Sequence, residues 1–133
     1  MEIVIQTSQK DQIIDITNDL NDFLKKNSLE NGVLTVFVKH TTCGLTTADL
    51  DPGTDLDFLS FLRKISPNIP YNHPHDPGHT PDHLLSSLIG PSVTVPFKNG
   101  AVDLGTWQRV ILVELNGPKN RKIELSPISV SLK

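Results

Sequence analysis

The stretch from Ser92 to Val130 constrains the fold most, because it breaks into strand-length segments whose connections are too short for anything but hairpins. Ser92 to Phe97 and Ala101 to Leu104 flank Lys98-Asn99-Gly100, a strong hairpin turn. Trp107 to Leu115 reads as a further strand, Asn116-Gly117-Pro118 as a turn, and Arg121 to Val130 as a last strand. A parallel pairing needs a crossover of about a dozen residues or more, so these strands must pair antiparallel.

The N-terminal part mixes both periodicities. Glu2 to Thr7, Gln12 to Ile16 and Val33 to Lys39 read as strands, and the Thr-rich segment after His40 reads as a strand or a pocket-lining stretch. Thr17 is expected to cap a short helix carrying Leu20, Phe23 and Leu24. Asp51-Pro52 suits the start of a second helix, whose wide apolar face holds Leu56, Phe58, Leu59, Phe61, Leu62 and Ile65. Thr80-Pro81 is expected to cap a third, running to Ile89 and stopped by Gly90-Pro91. The expected class is α+β: antiparallel β-sheets packed as a sandwich with about three short helices, in one domain over residues 1–133.

A net charge of −3 argues against a large nucleic-acid footprint. With one cysteine, Cys43, no intrachain disulfide can form, which fits a reducing compartment. The N-terminus lacks the pattern of a signal peptide, and no apolar run approaches the roughly 20 residues of a membrane span. The expected location is the cytoplasm, with neither nucleic acid nor membrane as partner.

Ser66 to Thr80, SPNIPYNHPHDPGHT, holds four prolines and a glycine that forbid regular structure over most of its length. Long irregular loops in small domains are usually functional or disordered, and the histidines favour function. All five histidines lie between positions 40 and 83: His40 at a strand end, His73, His75 and His79 on the loop, His83 in the following helix. Neutral imidazole is the commonest metal ligand, and three imidazoles with an open position make a catalytic-type zinc site. Surface and capping roles explain such histidines equally well from spacing alone.

Asp49, Asp51, Asp76 and Asp82 stand near them as ligands, orienting partners or bases, with helix-start roles preferred for Asp51 and Asp82. Cys43 could pair with His40 as a nucleophile, but residues three apart on a strand face opposite sides, which favours packing. Thr41, Thr42, Thr46 and Thr47 could line an anion pocket or simply express β-propensity. Trp107 is expected to pack with one edge wet, and one of Gln108 and Arg109 to face the pocket. Lys119 and Arg121 could bind phosphate or be solvated.

The ordered motifs HTTCGLT from His40, Tyr71-x-His73, DHLLSSLIG from Asp82, V-P-F-x-N-G, L-G-T-W-Q and E-L-N-G-P-K are similar to those of the YjbQ-like family, also described as secondary thiamine-phosphate synthase-like. The resemblance runs from about His40 to Arg121. It implies an α+β fold in a homotrimer, with a pocket built from His40, His73 and His83. His75 and His79 fall where the family pattern does not ask for histidine. The resemblance makes His40, His73 and His83 the expected metal ligands, with His40 and His83 the expected catalytic pair. Thr41, Thr42, Gln108 and Glu114 are the expected pocket residues, Glu114 because it matches a family acid just before the Gly-Pro turn. Where the family carries a polar pair such as Asn-Glu, this chain has Ala48-Asp49.

The activity implied is a weak transfer joining a pyrimidine diphosphate to a thiazole phosphate to give thiamine phosphate. Its partner is then a small phosphorylated metabolite. A divalent metal is expected, zinc ahead of magnesium, since magnesium prefers oxygen ligands. Two other functions fit the same residues: a zinc-dependent hydrolase, and a non-catalytic trimer binding a metal or metabolite.

Overall fold

The strand Arg109–Glu114 shows how the molecule is layered. Its run Val110 to Leu115 is buried without alternation, so both faces of this strand are covered. Val110 and Leu112 point into one core, with Leu34, Val36, Leu45, Val95 and Leu125. Ile111, Val113 and Leu115 point the other way, against Leu62 and Leu85 from two helices.

A computed structural model describes Met1 to Ser131 of the chain. The order is β1 (Glu2–Gln6), β2 (Gln12–Asp15), α1 (Thr17–Lys26), β3 (Gly32–Val38), β4 (Cys43–Ala48), α2 (Thr54–Ile65), a 3-10 turn (Pro77–His79), α3 (Thr80–Ile89), β5 (Ser92–Lys98), β6 (Ala101–Val102), β7 (Arg109–Glu114) and β8 (Asn120–Ser129). One sheet runs β1-β8-β3-β5-β6 and the other β2-β7-β4, with every pairing antiparallel. The sheets pack face to face, joined by α1 through Leu20, Phe23 and Leu24. Helices α2 and α3 cover the outer face of the smaller sheet. The fold is α+β as expected.

Strand β3 alternates cleanly, with Leu34, Val36 and Val38 inward and Val33 and Phe37 outward. Burying each such side chain contributes about 1.5–3 kcal/mol. After Val38 the chain leaves the larger sheet and enters the smaller one at Cys43, so Lys39 to Thr42 form the crossover. Helix α3 docks onto it. Leu45 N–H donates to Gly90 O at 2.9 Å and Val38 N–H to Pro91 O at 2.8 Å. Gly44 permits this approach, since a Cβ there would sit 2.8 Å from Ile89 Cγ2 and 3.0 Å from Gly90 O.

Several local expectations change. Thr17 does not cap α1. Asp15 Oδ1 accepts from Thr17 N–H at 2.9 Å, and the Thr17 hydroxyl accepts from Val110 N–H instead. Helix α2 starts at Thr54, after Gly53 at φ +90°, and of its apolar face only Leu62 is buried, while Leu56, Phe61 and Ile65 are exposed. Thr80 begins α3 but its side chain makes no capping bond. Trp107 leaves the strand and is 71% exposed, because Gly105 to Gln108 close into a turn.

Candidate metal centre

Three elements bring three imidazoles together: the loop carries His73, the 3-10 turn ends on His79, and α3 carries His83 one turn later. Residues four apart around a helix start lie on one face, which aligns His79 with His83. The ring centroids form a nearly equilateral triangle: 4.6 Å for His73–His79, 4.9 Å for His73–His83 and 4.8 Å for His79–His83. One ligand nitrogen from each lies within 4.8 Å of the others, and all three side chains are half-buried.

A hydrogen bond fixes which nitrogen His83 offers, and an ion-pair contact orients His79. His83 Nδ1 stands 3.2 Å from the Thr41 carbonyl, which can only accept, so Nδ1 carries the proton and Nε2 keeps its lone pair. His79 Nδ1 stands 3.2 Å from Asp76 Oδ2, a contact that favours a proton on Nδ1. Asp76 is held in turn, its Oδ1 accepting from Gly78 N–H at 3.1 Å. His73 Nδ1 and His83 Nε2 are buried without a partner. A buried polar atom left unpaired costs about 1–3 kcal/mol, so these orphans call for a ligand.

The donor set fits zinc. A tetrahedral zinc with bonds of about 2.0–2.1 Å spaces its nitrogens about 3.4 Å apart, inside the 4.8 Å that bounds the three ligand atoms. Nitrogen donors alone do not suit magnesium.

Of the three expected ligands, His73 and His83 lie together, joined by His79, and His40 stands outside the group. His40 lies in the crossover between β3 and β4, where its Nε2 accepts from Lys122 N–H at 3.0 Å. Burial, then the nearby Arg121 charge, lowers its pKa, which keeps it a neutral acceptor. His75 is exposed at φ +74° and stands outside the triangle.

The expected binding residues scatter. Thr41 serves the site through its carbonyl alone. Thr42 accepts from Arg121 Nη2 through its hydroxyl at 2.8 Å. Gln108 turns back to accept from Gly105 N–H at 2.8 Å, away from the histidines. Glu114 is not open to a ligand: it is fully buried, ion-paired with Arg121, and accepts from Thr7 and from the Leu115 and Asn116 N–H groups. Arg121 is therefore neither solvated nor free for phosphate. Cys43 is buried, and burial pushes its thiol up to about 11, which leaves it inert.

Asp82, for which a helix-start role was preferred over that of ligand or base, is buried and accepts from Arg63 Nη1 at 2.7 Å, with Lys10 Nζ at 3.4 Å. Arg63 also donates to Asp11 through Nε at 2.8 Å and to Leu115 O at 3.2 Å. This network ties the first turn of α3, and so His83, to α2 and the end of β7. Arg63 and Asp82 are nineteen positions apart, on helices whose packing no spacing rule anticipates.

The two facing sheets with their histidine triangle define an α+β protein with a candidate metal pocket. The model of the UPF0047 protein YjbQ-like family matches residues 1–129, and the chain belongs to that family. It is 36% identical over 126 residues to a UPF0047 protein of Methanothermobacter thermautotrophicus, covering 94% of this chain and 88% of that one. Against YugU of Bacillus subtilis it is 35% identical over 121 residues, covering 88% and 89%. The fold superposes on a yjbq/upf0047 family protein from Clostridium acetobutylicum with a TM-score of 0.86 at 35% identity, covering 96% and 99% of the two chains. A hypothetical protein from Aeropyrum pernix gives 0.89 at 30% identity, covering 98% of each. No helix among the described residues is long and apolar enough to cross a membrane.

Proposed function

We propose that this protein is a zinc-dependent hydrolase acting at the phosphate or diphosphate group of a small metabolite. The observation that carries this reading is the convergence of His73, His79 and His83 with two buried nitrogens, His73 Nδ1 and His83 Nε2, that no protein group satisfies. Three imidazoles leave a coordination position open, as catalytic zinc sites do. Zinc held there would supply Lewis acidity toward a phosphate oxygen and toward water. Thr41 sets the tautomer of His83, Asp76 orients His79, and the Arg63–Asp82 pair holds α3 in place. The phosphorylated substrate class rests on the motif resemblance. The test is zinc content after exhaustive dialysis, together with phosphate release from a panel of small phosphate esters and diphosphates. One zinc per chain and turnover lost to a chelator are expected. Full turnover in the metal-free protein sinks the reading.

The same motifs favour a second reading, transfer of a pyrimidine diphosphate to a thiazole phosphate at this centre. Thiamine phosphate formed from those two precursors, without free pyrimidine alcohol, would select it over hydrolysis. Assembly as a homotrimer belongs to the proposal too. It is supported by one apolar cleft bordered by the exposed side chains of Ile65, Ile69, Leu84 and Leu88. Light scattering should then give three times the 14.7 kDa chain mass, and a mass of one chain rules assembly out.

A further inference from the structure

Among the described residues, three buried side-chain polar atoms have no hydrogen-bond partner: His73 Nδ1, His83 Nε2 and Thr80 Oγ1. Two are the imidazole nitrogens already assigned to the metal. The third belongs to the residue between His79 and Pro81, on the helix turn that carries the site. Thr80 is 7% exposed, and its hydroxyl oxygen is buried.

A threonine at a helix start has two ordinary outlets. Its hydroxyl can cap the helix by accepting a backbone N–H, or it can donate back to a carbonyl of the preceding turn. Thr80 does neither. Ser86 on the same helix shows the ordinary behaviour, donating to Asp82 O at 2.7 Å. Thr80 and His83 are three apart on α3, so their side chains are neighbours on one face. If packing alone set this position, an isosteric apolar residue would fill it with nothing left unpaired.

We infer that the Thr80 hydroxyl is a specificity-determining hydrogen-bond donor to an oxyanion, phosphate in class, bound at the open side of the tri-histidine centre. An anionic oxygen accepts the proton that the protein leaves unclaimed, and a charge-assisted bond of this kind is stronger than a neutral one. The hydroxyl does not hold the metal; it selects a ligand that brings an acceptor oxygen. The inference rests on the metal-centre reading and adds to it the residue that recognises the anion.

Thr80→Val preserves shape and removes the donor, and Thr80→Ser restores it. Zinc affinity is measured by competition with a chromophoric chelator. Inorganic phosphate affinity is measured on the cobalt-loaded protein by titrating its visible absorption. Thr80→Val is expected to keep the wild-type zinc affinity within about twofold while losing about 10-fold or more in phosphate affinity, with Thr80→Ser recovering most of it. Unchanged phosphate affinity in a folded, metal-loaded Thr80→Val protein overturns the inference and leaves the metal centre standing. A loss of zinc affinity as large as that of a histidine variant overturns it too, by making Thr80 part of the metal's own support. Wild-type protein that binds no zinc removes the centre and the inference with it.

Discussion

Wild-type protein is expected to bind one zinc ion per chain, and His83→Ala or His79→Ala to weaken that binding by more than 100-fold. Loss of a partner that merely orients a ligand costs about 10–100-fold, so loss of the ligand itself must exceed that range. Asp76→Ala provides the intermediate step. It frees His79 Nδ1, 3.2 Å from the carboxylate, and should cost about 10-fold. His40→Ala should leave affinity within about twofold, because that imidazole is committed to Lys122 N–H at 3.0 Å. Competition against a chromophoric chelator at neutral pH ranks all four variants. A His40→Ala loss equal to that of His83→Ala, with His79→Ala silent, would restore the ligand set implied by the motifs and reject the triangle seen here.

The contrast between His40 and His79 shows where sequence reading stops. Strand patterns, both C-terminal turns and the span of α3 are visible in the sequence because alternation, Asn-Gly turns and a Gly-Pro stop are local signals. His73 and His83 were recoverable because each sits in a motif. His79 was not, because what recruits it is a 3-10 turn capped by Asp76 within a proline-rich loop. The Glu114–Arg121 pair is hidden for a related reason. Flanking the Gly-Pro turn, Glu114 reads as a pocket acid and Arg121 as a phosphate-binding or solvated base. Yet Arg121 shares the inward face of β8 with Ile123 and Leu125, and Glu114 closes a strand buried on both faces. A charged residue in phase with buried aliphatics is the signal that could have revealed this pair.

Glu114→Gln should be the most destabilising conservative change in the molecule, at about 3–5 kcal/mol. Burial alone would raise the Glu114 pKa. Hydrogen bonds from Arg121, Thr7 and Asn116 N–H outweigh it and hold the carboxyl below its ordinary value of 4.5. Glutamine keeps the size but leaves the Arg121 guanidinium, 1% exposed, without its counter-charge. For a chain of this length the melting temperature should fall by about 10 °C or more. The pH dependence follows from the direction of the shift. A lowered folded pKa gives stability that is fully present above 4.5 and is lost as the pH falls through the folded value. The gap between wild type and Glu114→Gln should therefore be constant near neutrality and shrink at acid pH, which thermal melts across that range would show. An equal gap at all pH values would mean that the carboxylate charge is not what stabilises the pair. Replacing both partners with apolar residues should recover only part of the loss. Glu114 also accepts from the Thr7 hydroxyl at 2.7 Å and from Leu115 N–H at 3.0 Å, and no apolar side chain satisfies those donors.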